Sequence, residues 1–263
     1  LQPGYASVCE GFGGFRYVNG FPDLPSVRPN LSLGDTLASL HAVIGILLAL
    51  VERGKVDGVG QVVDVAIYEA VFDVLESVVP EFDGAGMVRE PSGSTLTGIA
   101  PTNVYRSKDG KQIIIGGNGD SIFKRLMIVA GREDMANDPR LEINTGRVEH
   151  EAEIDQALSA WAITQKGADI IRQLEAVQVP VGPIYSVRDI MKDPHYRARG
   201  MIESVEVNGK ALKIPAIAPR LVDTPGRTDW AGPSLGAHNS EVLGGLLGMD
   251  EHAITTLRDK GVL

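Results

Sequence analysis

The sequence predicts an α/β fold, and three observations carry that prediction. β-Branched runs such as Gln61-Val62-Val63-Asp64-Val65-Ala66-Ile67 alternate with apolar stretches at helical spacing. Asp-Gly and Asn-Gly pairs sit between strand-like runs, where tight hairpins need residues that tolerate positive φ. Finally, 263 residues at 43% hydrophobic content are enough to bury a substantial core as one large or two smaller domains.

In chain order, Leu1-Gln2-Pro3-Gly4-Tyr5 reads as an interior loop, and a first residue other than Met suggests the later part of a longer polypeptide, cut on its N-terminal side. Ala38 to Val51 is apolar almost all round and reads as a buried helix, with Asp35 where the preceding loop meets it. Gly54 to Gly60 is a turn, Gln61 to Ile67 a strand, and Tyr68 to Val79 a helix whose Val71, Val74, Leu75 and Val78 share a face. Pro80 to Pro101, rich in Gly, Ser, Thr and Pro, reads as a long surface loop and a domain boundary.

Beyond it, Asn103 to Ser107 and Lys111 to Ile115 flank Asp109-Gly110 as a β-hairpin. Helices are expected near Ser121 to Ala130, Glu149 to Trp161 and Ala168 to Ala176. A second hairpin joins Met201 to Val207 with Lys210 to Ile214 through Asn208-Gly209, and two short helices, Ser240 to Leu247 and Glu251 to Lys260, end the chain. The expected divisions are 1–100, part of a large domain; 101–185, a small α+β domain; and 186–263, a linker, hairpin and terminal helices returning to the large domain.

Composition excludes several function classes. A formal net charge of −9, with Lys and Arg scattered, offers no footprint for nucleic acid or an anionic membrane. The apolar run from Val43 to Leu50 is too short to span a bilayer and reads as a core helix. One cysteine, Cys9, can make no internal disulfide, and no signal-peptide pattern opens the chain, so a cytosolic protein is expected. The five histidines lack H-E-x-x-H spacing, so no metal site is expected.

Several motifs invite a catalytic reading and fail on context. Gly232-Pro233-Ser234-Leu235-Gly236 matches G-x-S-x-G, but no strand leads into it and Pro233 restricts the backbone, so it reads as a loop. Gly116-Gly117-Asn118-Gly119 lacks dinucleotide-binding spacing and reads as a strand-to-helix turn. The Gly11, Gly13, Gly14 cluster reads as close backbone packing. His41 lies too far around its helix to face Asp35 and suits core packing or a polar helix edge, and Cys9 suits a small core residue. Tyr5 and Glu10 are either an aromatic and a carboxylate beside a site or surface groups of the opening segment. Asp35 is either a helix N-cap or a chemical group, and the same helix terminus that suits a cap would also suit an oxyanion formed during attack on a carbonyl.

A resemblance along almost the whole chain bears on these alternatives. Pro3-Gly4-Tyr5, Asn19-Gly20-Phe21-Pro22-Asp23, Ser32-Leu33-Gly34-Asp35, Gly60-Gln61-Val62-Val63-Asp64-Val65-Ala66 and Tyr105-Arg106-Ser107-Lys108-Asp109-Gly110 occur in the order seen in the class III coenzyme A transferases, the CaiB/BaiF family. Asp138-Pro139-Arg140, Val179-Pro180-Val181-Gly182-Pro183, Asp193-Pro194, Arg199-Gly200-Met201 and Leu235-Gly236-Ala237-His238 continue that order, and the chain resembles this family.

The resemblance implies a partial Rossmann-like large domain of the CaiB/BaiF fold with a smaller α+β domain, in an interlocked homodimer. It implies that Asp35 is a nucleophile passing through an aspartyl anhydride and an aspartyl-CoA thioester. The coenzyme A thioester would be a substrate, with no tightly bound cofactor and no metal, and the partners would be an acyl-CoA and a free carboxylic acid. The glycine loop covering the acyl site would correspond to Gly93-Ser94-Thr95-Leu96-Thr97-Gly98, making Gly93, Ser94 and Gly98 substrate-binding together with Tyr5 and Glu10. Related racemases of 2-methylacyl-CoA carry a His where this chain has Tyr5, and a phenol is too weak a base for that proton transfer near neutral pH, which favours transfer. Ala6 and Glu10 depart from residues common in the transferases, so the acids exchanged stay open, with a small dicarboxylate as one candidate. A racemase-type isomerase and a noncatalytic CoA-binding protein are the alternatives.

Overall fold

Helices and strands mix as expected for an α/β chain, but they are unevenly distributed. A computed structural model describes residues 4–263 as two units, one running to Ile184 and one from Tyr185 to Leu263. Leu1, Gln2 and Pro3 of the opening segment lie outside the described residues.

The first unit begins with helices. Tyr5 precedes α1 (Ala6–Phe12), and α2 (Phe15–Val18) follows after Gly13 and Gly14. Gly13 is where packing demands a glycine: a Cβ there would meet the carbonyl oxygen of Tyr68 and a methyl of Val71 at 2.8 Å. The long helix α3 (Leu33–Arg53) packs with α1 and with α4 (Ile67–Asp73).

α3 forms over the expected residues, but the expectation that Ala38 to Val51 is buried is corrected. Leu48 is 64% and Val51 68% exposed, and Val43, Ile44, Ile46 and Leu47 are exposed as well. A helix apolar all round needs cover on every side, and α1 and α4 supply only part of it. The helix as a whole also corrects the length argument made on Val43 to Leu50, because its 21 residues are long and apolar enough to cross a membrane by length and composition alone. In this unit α3 is tied to its neighbours instead: His41 Nδ1 bonds the Leu37 carbonyl at 2.8 Å, and His41 Nε2 lies 3.1 Å from Asp73 of α4. His41 is therefore a polar edge of the helix.

Two further expectations change here. Gln61 to Ala66 is irregular and not a strand, because no strand pairs with it among the described residues. The helix expected from Tyr68 to Val79 is two helices, α4 and α5 (Val78–Ala85), broken where Glu76 takes φ 52°. α5 also takes the start of the expected long loop, since Pro80 occupies the first helical turn, where its missing N–H costs nothing.

The core of the unit lies further along. β1 (Thr102–Arg106) and β2 (Gln112–Gly116) form the expected antiparallel hairpin, and β3 (Val181–Pro183), not foreseen, adds to β2. α6 (Asp120–Val129), α7 (Glu133–Ala136), α8 (Asn144–Glu149), α9 (Glu151–Ala162) and α10 (Gly167–Ala176) surround this sheet. Tyr105, Ile113, Ile115, Phe123, Leu126, Leu158, Ile170 and Leu174 pack together with almost no exposure. Arg147 is buried among them because its guanidinium donates to the carbonyls of Ala100, Leu141, Glu142 and Asn118 and to Asp120. The Gly116 to Gly119 stretch is a strand-to-helix turn, closed by bonds such as Gly116 N–H to the Pro180 carbonyl.

The second unit contains α11 (Val187–Ile190), α12 (Pro194–Ala198), the hairpin of β4 (Ile202–Val207) and β5 (Lys210–Pro215), a π-helical turn over Ser240–Leu246 and α13 (Glu251–Asp259). Asn208 and Gly209 take φ 50° and 73°, the positive values a two-residue hairpin turn requires. Gly232 to Gly236 is irregular, with Leu235 fully exposed, so the G-x-S-x-G match is a loop. The described strands form these two antiparallel sheets only, and residues 4–100 contribute helices and no parallel layer.

Candidate active site

Ser32, Leu33, Gly34 and Asp35 form the turn that starts α3. Ser32 is the N-cap residue, without a side-chain capping bond, and Asp35 is the third residue of the helix. The expectation of Asp35 as the cap itself is therefore corrected: the helix begins two residues earlier, because the Thr36 amide bonds the Ser32 carbonyl. Asp35 is exposed, in the first turn, where the positive end of the helix dipole favours an anion.

Gly34 lets this turn approach its surroundings. It is buried, and a Cβ on it would lie 3.1 Å from Cγ2 of Ile67, 3.4 Å from Cγ of Glu10 and 3.5 Å from Cβ of Ala6. Its N–H donates to Oε1 of Glu10 at 3.2 Å. Glu10 is fully buried directly beneath the helix start, so it is neither a surface group nor a wall of the open site. Its Oε2 has no hydrogen-bond partner; Arg16 Nη1 lies 3.7 Å and Arg28 Nε 3.9 Å away. One carboxylate oxygen thus has two guanidinium groups within 4 Å.

Asp35 opens into a cavity of roughly 450 Å³, shared with Tyr5, Ser7, Arg28, Ser32 and Ile67. Tyr5 is 85% exposed and reaches this cavity from the residue before α1. A larger, mainly apolar cavity of roughly 690 Å³ also borders α1; it shares Gly4 and Ser7 with the first and adds Cys9, Phe12, Arg16 and Tyr68. Cys9 is partly exposed there, not a core residue.

Three sequence-stated site residues stand elsewhere. Gly93 is held by its N–H to the Gly20 carbonyl at 2.7 Å and packs on the Phe21 ring. Ser94 Oγ donates to Asn103 at 2.6 Å, and the Gly98 carbonyl accepts from Asn144 at 2.8 Å. None of the three lines the Asp35 cavity, because each is drawn toward Gly20 or toward the sheet-bearing part of the unit. The structure thus groups Tyr5, Glu10 and Asp35 and leaves Gly93, Ser94 and Gly98 apart. Arg28, Ser7 and Arg16 were missed in the sequence: no motif marks them, and Arg28 gives its signal only through the cavity it shares with Asp35.

Chemically, the cavity offers an exposed carboxylate at a helix start, one cation, and hydroxyls on Tyr5, Ser7 and Ser32. Among the described residues no group of His, Cys, Asp and Glu could hold a metal ion.

Comparison with known proteins adds an independent line. Residues 1–239 match the family described as CoA-transferase family III. The succinyl-CoA–D-citramalate CoA-transferase of Chloroflexus aurantiacus is 40% identical over 263 residues, covering 100% of this chain and 65% of that protein. The alpha subunit of succinyl-CoA–L-malate CoA-transferase from the same organism is 35% identical over 264 residues, with 100% of this chain and 61% of that protein covered. Among solved structures, a CaiB/BaiF family protein from Brucella suis superposes with a TM-score of 0.77 at 27% identity, covering 93% of this chain and 63% of that one. The chain therefore spans less than two thirds of the length of these relatives.

Proposed function

This chain belongs to CoA-transferase family III, and we propose that it transfers coenzyme A between an acyl-CoA and a free carboxylic acid, with Asp35 as the nucleophile. The observation that carries this reading is the placement of Asp35: exposed in the first turn of α3, facing a cavity with a cation, and backed by a close-packed glycine.

The reaction needs no electron donor and no water. A carboxylate oxygen of Asp35 attacks the acyl-CoA carbonyl, the C–S bond breaks, and a mixed anhydride forms as the CoA thiolate leaves. The thiolate then attacks the aspartyl carbonyl of the anhydride, giving an aspartyl-CoA thioester and the first free carboxylate. An incoming carboxylate attacks that thioester, re-forming an anhydride and the thiolate, and the thiolate takes the new acyl group while Asp35 regains its charge. Each step develops an oxyanion beside the α3 N-terminus, where helix amides favour it. Splitting one exchange into these steps is the advantage of the covalent route.

Tyr5 lies in the same cavity and supplies no proton-transfer base, which supports transfer over racemisation. The names of the relatives, which involve succinyl-CoA with citramalate or malate, support a small dicarboxylate as one substrate. The same reading extends to an interlocked homodimer in the cytosol.

The test adds an acyl-CoA and then hydroxylamine to the full-length protein and locates the product by mass spectrometry. Hydroxamate on Asp35 is expected; CoA transfer that continues while Asp35 stays unlabelled would refute the mechanism.

A further inference from the structure

We propose that Arg28 anchors the distal carboxylate of a dicarboxylic acid whose other carboxylate reacts at Asp35, an inference that rests on the CoA-transfer reading above. Arg28 is the cation that lines the Asp35 cavity. Its side chain is 45% exposed, it makes no hydrogen bond to a protein group among the described residues, and its only ion pair, to Glu10, is at 3.9 Å.

Glu10 holds the guanidinium in place without consuming it. One carboxylate oxygen of Glu10 is fixed by the Gly34 N–H, and Arg16 stands closer to the other oxygen than Arg28 does. Glu10 therefore cannot swing out to form the two-pronged contact that a guanidinium offers a carboxylate. That geometry stays available to a ligand in the cavity.

Charge adds a direction to the argument. With Asp35 free, Asp35 and Glu10 balance Arg16 and Arg28, and a dicarboxylate meets a neutral site containing a repelling carboxylate. Once Asp35 carries an acyl or CoA group its charge is gone, and one positive charge is left in excess. Arg28 is the group that presents it to the cavity. The anchor is thus strongest in the covalent intermediate, when the acceptor acid must be held. A monocarboxylic acid cannot use it.

The experiment compares succinate with butyrate, acids of equal carbon count, as CoA acceptors in the full-length protein and in its Arg28→Met and Arg28→Lys variants. A charge-assisted bidentate contact at a partly exposed site predicts a loss of about tenfold or more in kcat/KM for succinate in Arg28→Met, mainly through KM. Butyrate, which has no second carboxylate to anchor, loses at least about threefold less than succinate on the same argument, and Arg28→Lys recovers part of the succinate activity because it keeps the charge and loses the fork. Hydroxylamine labelling of Asp35 at saturating succinyl-CoA persists in both variants. Equal losses for the two acids, with labelling intact, overturn the anchor and leave the transferase reading standing. Absence of labelling in the unaltered protein overturns both.

Discussion

Replacing Gly34 with Ala places one methyl group between the turn that carries Asp35, the proposed nucleophile, and the residues that turn packs against. Gly34 is already helical, so alanine should contribute about 1 kcal/mol of helix propensity, less at this end position. Against that, the new Cβ would stand 3.1 Å from Cγ2 of Ile67, and Glu10 and Ala6 close the other sides at 3.4 and 3.5 Å. Overpacking of this kind costs about 1–3 kcal/mol, so the net loss is about 1 kcal/mol, or roughly 3 °C in Tm for a domain of this size. The larger effect falls on chemistry. If the first turn of α3 relaxes by a few tenths of an ångström, and a displacement of about 1 Å can cost a hundredfold, hydroxylamine labelling at Asp35 should slow about fivefold. Ile67→Leu removes the offending γ-methyl at nearly constant volume, so Gly34→Ala/Ile67→Leu should recover most of the labelling rate. The assay is single-turnover labelling beside a thermal melt. A labelling rate equal to wild type in Gly34→Ala would refute the claim that this glycine sets the position of Asp35.

Other expectations test different parts of the chain. Arg147→Met leaves the carbonyls of Ala100, Leu141, Glu142 and Asn118 without their donor, so urea unfolding should show a loss of about 3–5 kcal/mol. Leu158→Ala opens a cavity in the sheet-bearing core and should cost about 3 kcal/mol in the same measurement. The Leu37 carbonyl, and then Asp73, raise the pKa of His41 above its ordinary value of 6.5. That contribution to stability is fully present below 6.5 and is lost as pH rises through the higher folded value, so melts taken at increasing pH should show a decline that His41→Gln removes.

The sequence marks best what short-range chemistry decides. Both hairpins are legible because Gly110 and Asn208-Gly209 supply positive φ between the paired strands, and α6, α9 and α10 because their apolar periodicity matches the face they bury. Gln61 to Ala66 misleads because β-branched content favours an extended backbone, while a strand also needs a neighbour that no local pattern reveals. The burial of α3 misleads for a related reason: all-round apolarity says that cover is required, not that α1 and α4 provide it. At the site, Asp35 stands out by its motif. Arg28 does not, since its meaning comes from folding α1 and the Gly34 turn around Glu10, and a charged residue in a Pro-rich loop carries no periodic signal.

The bare flanks of α3 also make the helix a gauge. A rod that displays Val43, Ile44, Leu47, Leu48 and Val51 to water will bind an environment-sensitive dye, and the fluorescence will fall in proportion to whatever shields those side chains. Because Asp35 lies in the first turn of the same helix, one optical titration alongside hydroxylamine labelling would read shelter and Asp35 reactivity along the same length of backbone.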